Sequence, residues 1–177
     1  MPVFLIGYRG TGKTTVGRCL AARLGCRAVD ADEWLEHKAG RSIAEIFATG
    51  GEAAFRDLES EVVVELAGLD RAVVSLGGGA VMREQNRRAI VGRGKTVWLR
   101  ANLDTIVARI SADSTTAERR PNLTASGGYD EVAALLASRS PVYRECADLA
   151  VDTEGKTPEQ IADEVVALLG DWLPPVV

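Results

Sequence analysis

The sequence predicts an α/β fold of three layers, α/β/α, in which helices cover both faces of a five-stranded parallel sheet. The main observation is that five short apolar runs, each of strand length, alternate with segments of helical periodicity. The predicted strands are residues 3–6, 27–29, 72–76, 96–99 and 149–151. Strands that alternate with helices pair in parallel, because each helix carries the chain back across the sheet. At 177 residues, one domain spanning 1–177 is expected.

Helix boundaries follow from capping residues, glycines and prolines. The predicted helices are 13–24, 33–39, a short one that begins at the capping box of Ser42 and Glu45, 52–69, 83–91, 103–110, 131–138 and 158–170. Gly25, Gly40 and the pair Gly50–Gly51 end the first three. Pro141 is expected to interrupt or kink the chain after helix 131–138, because proline has no backbone N–H. Residues 111–128 have little periodicity, which predicts a mobile loop.

Composition and charge narrow the class of protein. The net charge of −4 does not favour a nucleic-acid-binding surface. Three cysteines without a C-x-x-C pair favour reduced thiols over a disulfide framework or a zinc site. The apolar runs are shorter than the roughly 20 residues that a membrane helix needs. We expect a protein of the cytoplasm that works as a monomer, with neither nucleic acid nor a membrane as partner.

Residues 7–14 form the pattern G-x-x-x-x-G-K-[ST], which is typical of a phosphate-binding loop. The pattern follows a predicted strand and precedes a helix, so several backbone N–H groups and the positive helix N-terminus can face one anion. Lys13 can then reach the outer phosphates, and the Thr14 hydroxyl can bind Mg²⁺. A chance glycine-rich turn is the alternative, but the strand and the helix on either side favour binding of a nucleoside triphosphate.

Two carboxylates, Asp30 and Asp32, follow the second predicted strand. Beside a phosphate-binding loop, one can hold the Mg²⁺ shell and the other can accept a proton from a substrate hydroxyl. The alternative is that one or both cap the helix that starts at Glu33. The glycine triplet 77–79 follows the third predicted strand, and it indicates either a close backbone approach to a ligand or a flexible turn.

The residue pattern alone does not decide whether the arginines outside the phosphate-binding loop bind a ligand or are surface residues. Arg56 is typical of a surface residue that pairs with Glu59 three positions later, and Arg139 is typical of an ordinary surface residue. Two arginines can grip a carboxylate, but the spacing of these two does not show that they meet. Arg119 and Arg120 lie in the predicted mobile loop, where a lid arginine can stabilise a transferring phosphate or be merely exposed.

Four stretches, taken in order, resemble the shikimate kinase family of small-molecule kinases with a nucleoside-monophosphate-kinase-like fold. They are the loop 7–15, Asp30-Ala31-Asp32, the Phe-Arg-x-x-Glu pattern within 51–59, and Leu76 followed by the glycine triplet. Arg120-Pro121 and the stretch 139–143 look like the family's lid and substrate arginines. The resemblance covers about residues 2–170. It implies a P-loop kinase fold with substrate-binding helices over about 32–61 and a lid over about 111–128.

The resemblance implies ATP as the co-substrate and Mg²⁺ as the metal. Residues of the phosphate-binding loop would bind the ATP phosphates: Gly10, Thr11, Gly12, Lys13, Thr14 and Thr15. Arg109 and Lys156 would lie near the adenine. Thr14 would bind Mg²⁺ directly, and Asp30 would bind it through water.

The resemblance also implies transfer of the γ-phosphate to the 3-hydroxyl of shikimate, in the pathway to aromatic amino acids. One pocket would bind shikimate through Asp32, Arg56, Gly77, Gly78, Gly79 and Arg139. The two arginines would hold the carboxylate of the substrate. Catalysis would depend on Lys13, on Asp32 as a base and on Arg120 as the lid arginine. The stretch before Arg120 is longer than is usual in the family, which leaves Arg119 as the alternative lid residue.

Two other functions fit part of the pattern. Gluconate is also an anionic polyol, so a gluconate kinase is the nearest alternative; the Phe-Arg-x-x-Glu pattern with the glycine triplet favours shikimate. A nucleotide-dependent switch would bind the triphosphate without transferring phosphate to a small molecule. The intact set of Lys13, Thr14, Asp30 and Asp32 argues against such a switch.

Overall fold

A five-stranded parallel sheet lies at the centre of the computed structural model, which describes residues 1–112 and 128–172. The strands are β1 (Val3–Ile6), β2 (Arg27–Asp30), β3 (Ala72–Ser75), β4 (Lys95–Arg100) and β5 (Leu149–Asp152). Their order in the sheet is β2-β3-β1-β4-β5, and each neighbouring pair is parallel. The fold class that the alternation of strands and helices predicts is confirmed.

Helices cover both faces of this sheet. Those in the described part of the chain are α1 (Lys13–Leu24), α2 (Ala31–Ala39), α3 (Ile43–Ala67), α4 (Glu84–Ile90), α5 (Leu103–Ala112), α6 (Tyr129–Cys146) and α7 (Pro158–Leu169). Short 3-10 helices occupy Ala80–Met82 and Gly170–Trp172. Of the helices within 1–112 and 128–172, none has the length and apolar character needed to cross a membrane.

Side chains of β1 alternate between two cores, one on each face of the sheet. Phe4 and Ile6 belong to a core that α2, α3 and α4 share. Val3 and Leu5 belong to a second core, which α1 and α7 share. None of the four is more than 2% exposed, which is the pattern of a strand in a parallel sheet buried on both faces.

The carboxyl ends of β1, β2 and β3 bring three of the predicted functional segments to one edge of the sheet. Asp30 at the end of β2 is in register with Ser75 at the end of β3, and Ser75 is in register with Leu5 of β1. The phosphate-binding loop, the start of α2 and the glycine triplet therefore leave the sheet side by side. Open parallel sheets bind their ligands at this edge.

Helix α6 continues through Pro141, so the expected interruption of the helix there is wrong. Proline removes one backbone hydrogen bond from a helix interior, and packing must outweigh that loss. Val132 before the proline is 5% exposed, and Tyr143 after it is fully buried. Because both halves of α6 are anchored in cores, the helix persists across the proline.

Helix α3 has a kink at Gly51, where φ is 69° and ψ is −171°. The predicted boundary between two helices at Gly50–Gly51 thus corresponds to a break within one helical run. The rings of Phe47 and Phe55 stack across this break with their centroids 4.8 Å apart. Because Phe55 is 1% exposed, the stack fixes the second half of α3 against the core.

Replacing Gly51 with asparagine should destabilise the fold more than the same change at Gly40. Gly40 ends α2 with φ 65° and ψ 18°, a left-handed conformation that asparagine tolerates. Gly51 lies in a region of φ and ψ that is almost restricted to glycine. In the described structure, a Cβ at either position would have no neighbour within 4 Å, so the two sites differ in backbone conformation alone.

We expect Gly51→Asn to lower the free energy of unfolding by about 1–3 kcal/mol. Gly40→Asn should lower it by no more than about 0.5 kcal/mol. Chemical denaturation of both variants and of the unmodified protein measures these losses. Equal losses at the two positions would show that the conformation of Gly51 does not maintain the kink.

Candidate active site

In the loop between β1 and α1, backbone carbonyl groups accept hydrogen bonds from the Lys13 side chain. Three of its glycines have positive φ: Gly7, Gly10 and Gly12. Lys13 begins α1, and its Nζ donates to the carbonyl oxygens of Gly7 and Tyr8, both at 2.9 Å. The other predicted phosphate ligands are Gly10, Thr11 and Gly12 in the loop, and Thr14 and Thr15 in the first turn of α1. The first N–H groups of a helix lack partners within it, so this loop can bind an anion.

Thr14 and Asp30 are in direct contact beside this loop. The Thr14 hydroxyl donates to Asp30 Oδ2 at 2.6 Å. The other carboxylate oxygen, Oδ1, accepts from the backbone N–H groups of Asp32 at 3.0 Å and Glu33 at 3.4 Å. Asp30 is therefore the N-cap of α2, which is the capping alternative for the Asp-x-Asp pattern, and it is also the hydrogen-bond partner of Thr14. Asp32 lies in the first turn of α2.

Arg56 is largely buried, in contrast to the surface position that its residue pattern favours. Its side chain is 14% exposed, and its Nη1 donates to Glu59 Oε2 at 2.7 Å. Glu52 lies 3.3 Å from Nη2. Burial disfavours the charged form, but the charges and hydrogen bonds of Glu59 and Glu52 outweigh burial and raise the pKa of the Arg56 guanidinium. Arg56 is thus a cation held in place by its own helix.

The glycine triplet lies between Arg56 and the phosphate-binding loop. A Cβ built at Gly79 would lie 2.6 Å from Arg56 Nη1, and one at Gly78 would lie 3.3 Å from both Gly7 O and Arg9 N. A side chain at Gly79 would therefore displace the guanidinium. The triplet allows a close backbone approach, and the groups that approach it are Arg56 on one side and the phosphate-binding loop on the other.

Helix α6 contacts the same two loops. The guanidinium carbon of Arg139 lies 5.5 Å from the centre of the buried Tyr8 ring, which is a cation–π contact. One turn later, the Tyr143 hydroxyl donates to Gly78 O. Arg56 and Arg139, whose spacing in the sequence shows no relation, therefore border two loops that touch each other at Gly78.

Arg109 of α5 links the phosphate-binding loop to the segment after β5. Its Nη1 donates to Gly10 O at 3.3 Å and to Thr153 Oγ1 at 3.0 Å, and its Nη2 donates to Thr153 O at 3.2 Å. Lys156, three residues after the buried Thr153, donates to Glu164 Oε2 at 2.6 Å. Both residues expected near the adenine therefore lie in or next to this link.

Arg119, Arg120 and most of the expected lid fall on residues 113–127, outside those that the structure describes. Their roles stay predictions.

Two buried residues bond to the backbone in and directly after the glycine triplet, and the sequence pattern predicts a functional role for neither. Asn86 is fully buried and donates from Nδ2 to Ala80 O at 2.8 Å, directly after the triplet. Tyr143 bonds to Gly78 O within the triplet. The spacing of four residues between Arg139 and Tyr143 is the available signal, because it places both on one face of a helix that continues past Pro141.

Comparison with known proteins identifies the family to which this chain is similar. The family model for shikimate kinase matches residues 9–170. The shikimate kinase of Rhodopirellula baltica is 44% identical over 93% of this chain and 88% of its own length. The structure of shikimate kinase from Acinetobacter baumannii in complex with shikimate has a TM-score of 0.88 at 33% identity, covering 95% of this chain and 92% of that one. The shikimate kinase structure from Aquifex aeolicus has a TM-score of 0.82 at 35% identity, covering 98% and 99%. On this evidence the chain belongs to the shikimate kinase family.

Proposed function

We propose that this chain transfers the γ-phosphate of ATP to the 3-hydroxyl of shikimate, giving shikimate 3-phosphate and ADP on the route to aromatic amino acids. The observation that carries the proposal is that a phosphate-binding loop and a fixed arginine, Arg56, meet at one glycine triplet. A kinase for a small anionic alcohol needs both, because it must hold a triphosphate and a carboxylate at a set distance. Membership of the shikimate kinase family supports shikimate as that alcohol.

ATP is proposed to bind with its phosphates against residues 10–15. Lys13 would exchange the carbonyl oxygens of Gly7 and Tyr8 for phosphate oxygens, because an ammonium group bonds more strongly to a charged oxygen than to a neutral one. The contact between Arg109 and Gly10 O supports a position for the adenine beside Arg109 and Lys156.

Mg²⁺ fits the pair formed by Thr14 and Asp30. Both supply oxygen atoms, and these lie 2.6 Å apart beside the anion site. Protein sites for Mg²⁺ commonly combine one or two such oxygens with the phosphates of the substrate. Thr14 would bind the ion directly and Asp30 through water. When bound, the ion neutralises charge on the phosphates.

The carboxylate of shikimate is proposed to bind Arg56 and Arg139. The contact with Glu59 orients Arg56 before the substrate arrives, which reduces the entropy lost on binding. Asp32 would accept hydrogen bonds from the substrate hydroxyls, and the backbone of residues 77–79 would line the pocket.

Catalysis would come from positioning and charge neutralisation, without a covalent enzyme intermediate. The 3-hydroxyl oxygen attacks the γ-phosphorus as its proton passes to Asp32, and the bond to the β–γ bridging oxygen breaks to release ADP. Lys13 and the lid residue Arg120 would stabilise the charge that spreads over the transferred group.

The proposal includes a single domain over 1–177, with substrate-binding helices over about 32–61 and a lid over about 111–128, that acts as a cytoplasmic monomer. The free thiols of Cys19, Cys26 and Cys146 support a reducing compartment. The net charge of −4 supports a protein whose partners are small molecules rather than nucleic acids or anionic membranes.

ADP release with Mg²⁺ and ATP tests the function, with shikimate, gluconate and a nucleoside monophosphate as separate acceptors. We expect stimulation by shikimate alone. Stimulation by gluconate in place of shikimate would reassign the acceptor while keeping the kinase. ATP binding without stimulation by any acceptor would favour a nucleotide-dependent switch.

Asp32→Asn should remove most turnover and leave ATP binding intact, because an amide cannot accept the proton of the 3-hydroxyl. We expect kcat to fall by at least about a hundredfold. Glu33→Gln is the matched control, since Glu33 is an exposed acid on the same helix turn, 3.6 Å from Arg18. Its kcat should stay within about twofold, as for a surface ion pair. Comparable activity in Asp32→Asn would remove Asp32 from the mechanism.

Arg139→Ala should raise the KM for shikimate by at least about tenfold, because a charge-assisted contact with the carboxylate is lost. The KM for ATP should stay within about twofold of the unmodified value, since the phosphates bind elsewhere. Arg144→Ala, at an exposed position of the same helix, serves as the control. Steady-state kinetics with each substrate varied in turn makes the measurement, and an equal rise in both KM values would contradict a carboxylate contact.

A further inference from the structure

A fully buried tyrosine, Tyr143, bonds to the backbone of the glycine triplet. Its hydroxyl donates to Gly78 O, and its ring packs against Trp98 with the centroids 5.9 Å apart. The proposed mechanism gives this hydroxyl no task. A buried hydroxyl that reaches across 65 residues of sequence to one carbonyl needs an explanation beyond filling space.

The carbonyl that Tyr143 holds belongs to the peptide between Gly78 and Gly79. A trans peptide is planar, and its C=O and N–H groups point in opposite directions. Fixing Gly78 O toward the Tyr143 hydroxyl therefore aims the Gly79 N–H away from that hydroxyl. Gly79 is also the residue at which a Cβ would lie only 2.6 Å from Arg56 Nη1, so its backbone is next to the guanidinium. The hydroxyl thus sets the direction of a backbone donor that lies next to the fixed cation of the site.

This peptide needs an external anchor more than its neighbours do. The bonds that close the following turn run from Ala80 N to Gly77 O at 2.9 Å and from Met82 N to Gly79 O at 3.0 Å. Neither bond uses the C=O of Gly78 or the N–H of Gly79. A peptide with glycine on both sides meets the least steric resistance to rotation. Without Tyr143, the orientation of this peptide would be the least constrained in the turn.

We propose that Tyr143 is a positioning residue for the acidic substrate, which orients the Gly79 N–H as a donor to the substrate beside Arg56. The proposal rests on the proposed function, because it gives this donor the same shikimate molecule that Arg56 binds. Arg139 lies one turn earlier on α6. One face of this helix therefore carries both Arg139, a proposed ligand of the carboxylate, and Tyr143, which bonds to the glycine triplet. A shift of α6 would therefore move both together.

Tyr143→Phe tests the proposal, because it keeps the packed ring and removes only the hydroxyl. We expect the KM for shikimate to rise about tenfold, because the hydrogen bond from the Gly79 N–H to the substrate would be lost or misaligned. The KM for ATP should change by less than about twofold, since the proposed phosphate ligands are residues 10–15 and do not include this peptide. Tyr129→Phe is the matched control: it removes the hydroxyl of an exposed tyrosine in the same helix, whose partner is Asp104 at 2.9 Å. Thermal denaturation of each variant accompanies the kinetics.

The outcomes separate this inference from the proposed function. A selective rise in the shikimate KM for Tyr143→Phe, absent from Tyr129→Phe, supports the positioning role. A lower Tm with both KM values unchanged would make the hydrogen bond merely structural, and an equal rise in both KM values would show a general distortion; either result overturns the inference. An unmodified protein that binds ATP but does not phosphorylate shikimate would overturn the proposed function, and the positioning role would fall with it.

Discussion

The parallel register at the carboxyl edge of the sheet brings together the phosphate-binding loop, the Asp30–Asp32 segment and the glycine triplet. Asp30, Ser75 and Leu5 are in register on three neighbouring strands, which lie about 5 Å apart. Ser75 strengthens this junction, because its hydroxyl donates to Lys13 O at 3.0 Å. A slip of one residue would turn the side chains of a strand toward the opposite core and would also displace the loop that follows. Fold and site therefore depend on the same strand pairing.

The cations at this edge are held in different ways, and the difference determines what each can do. Arg56 is paired with Glu59 and Glu52, so this cluster has no net positive charge. It would orient a bound anion through a fixed guanidinium and would attract a distant anion only weakly. Arg139 lies over the ring of Tyr8, which is neutral and does not compensate the charge of the guanidinium as a carboxylate would. Attraction of an acidic substrate would then come chiefly from Arg139, and its orientation chiefly from Arg56.

Local patterns in the sequence predict the parts of the site that depend on local chemistry. The phosphate-binding loop and the Asp-x-Asp pattern follow directly from their residues, and the alternation of strands and helices predicts the sheet. Burial of Arg56 is not predictable in this way, because it depends on Glu59 and on the backbone of Gly79, which lies in the turn after β3, more than 20 positions later in the chain. The position of Tyr143 is not predicted, because a proline in the sequence suggests that the helix stops before residue 141. In the structure the helix continues, since residues on both sides of the proline are buried in cores.

The glycine triplet would keep the two proposed binding sites, one for the phosphates and one for the substrate carboxylate, at a fixed distance. On one side a Cβ at Gly78 would lie only 3.3 Å from the backbone of Gly7 and Arg9, and on the other the Arg56 guanidinium lies against Gly79. The two proposed sites are separated only by the backbone of the glycine triplet, so they could not move apart without breaking its contacts with Arg56 or with the phosphate-binding loop. Phosphoryl transfer depends on the alignment of donor and acceptor more than on any covalent step. Side chains at these positions would separate the two proposed sites, so in the proposed mechanism the small size of glycine would serve the alignment as well as the turn.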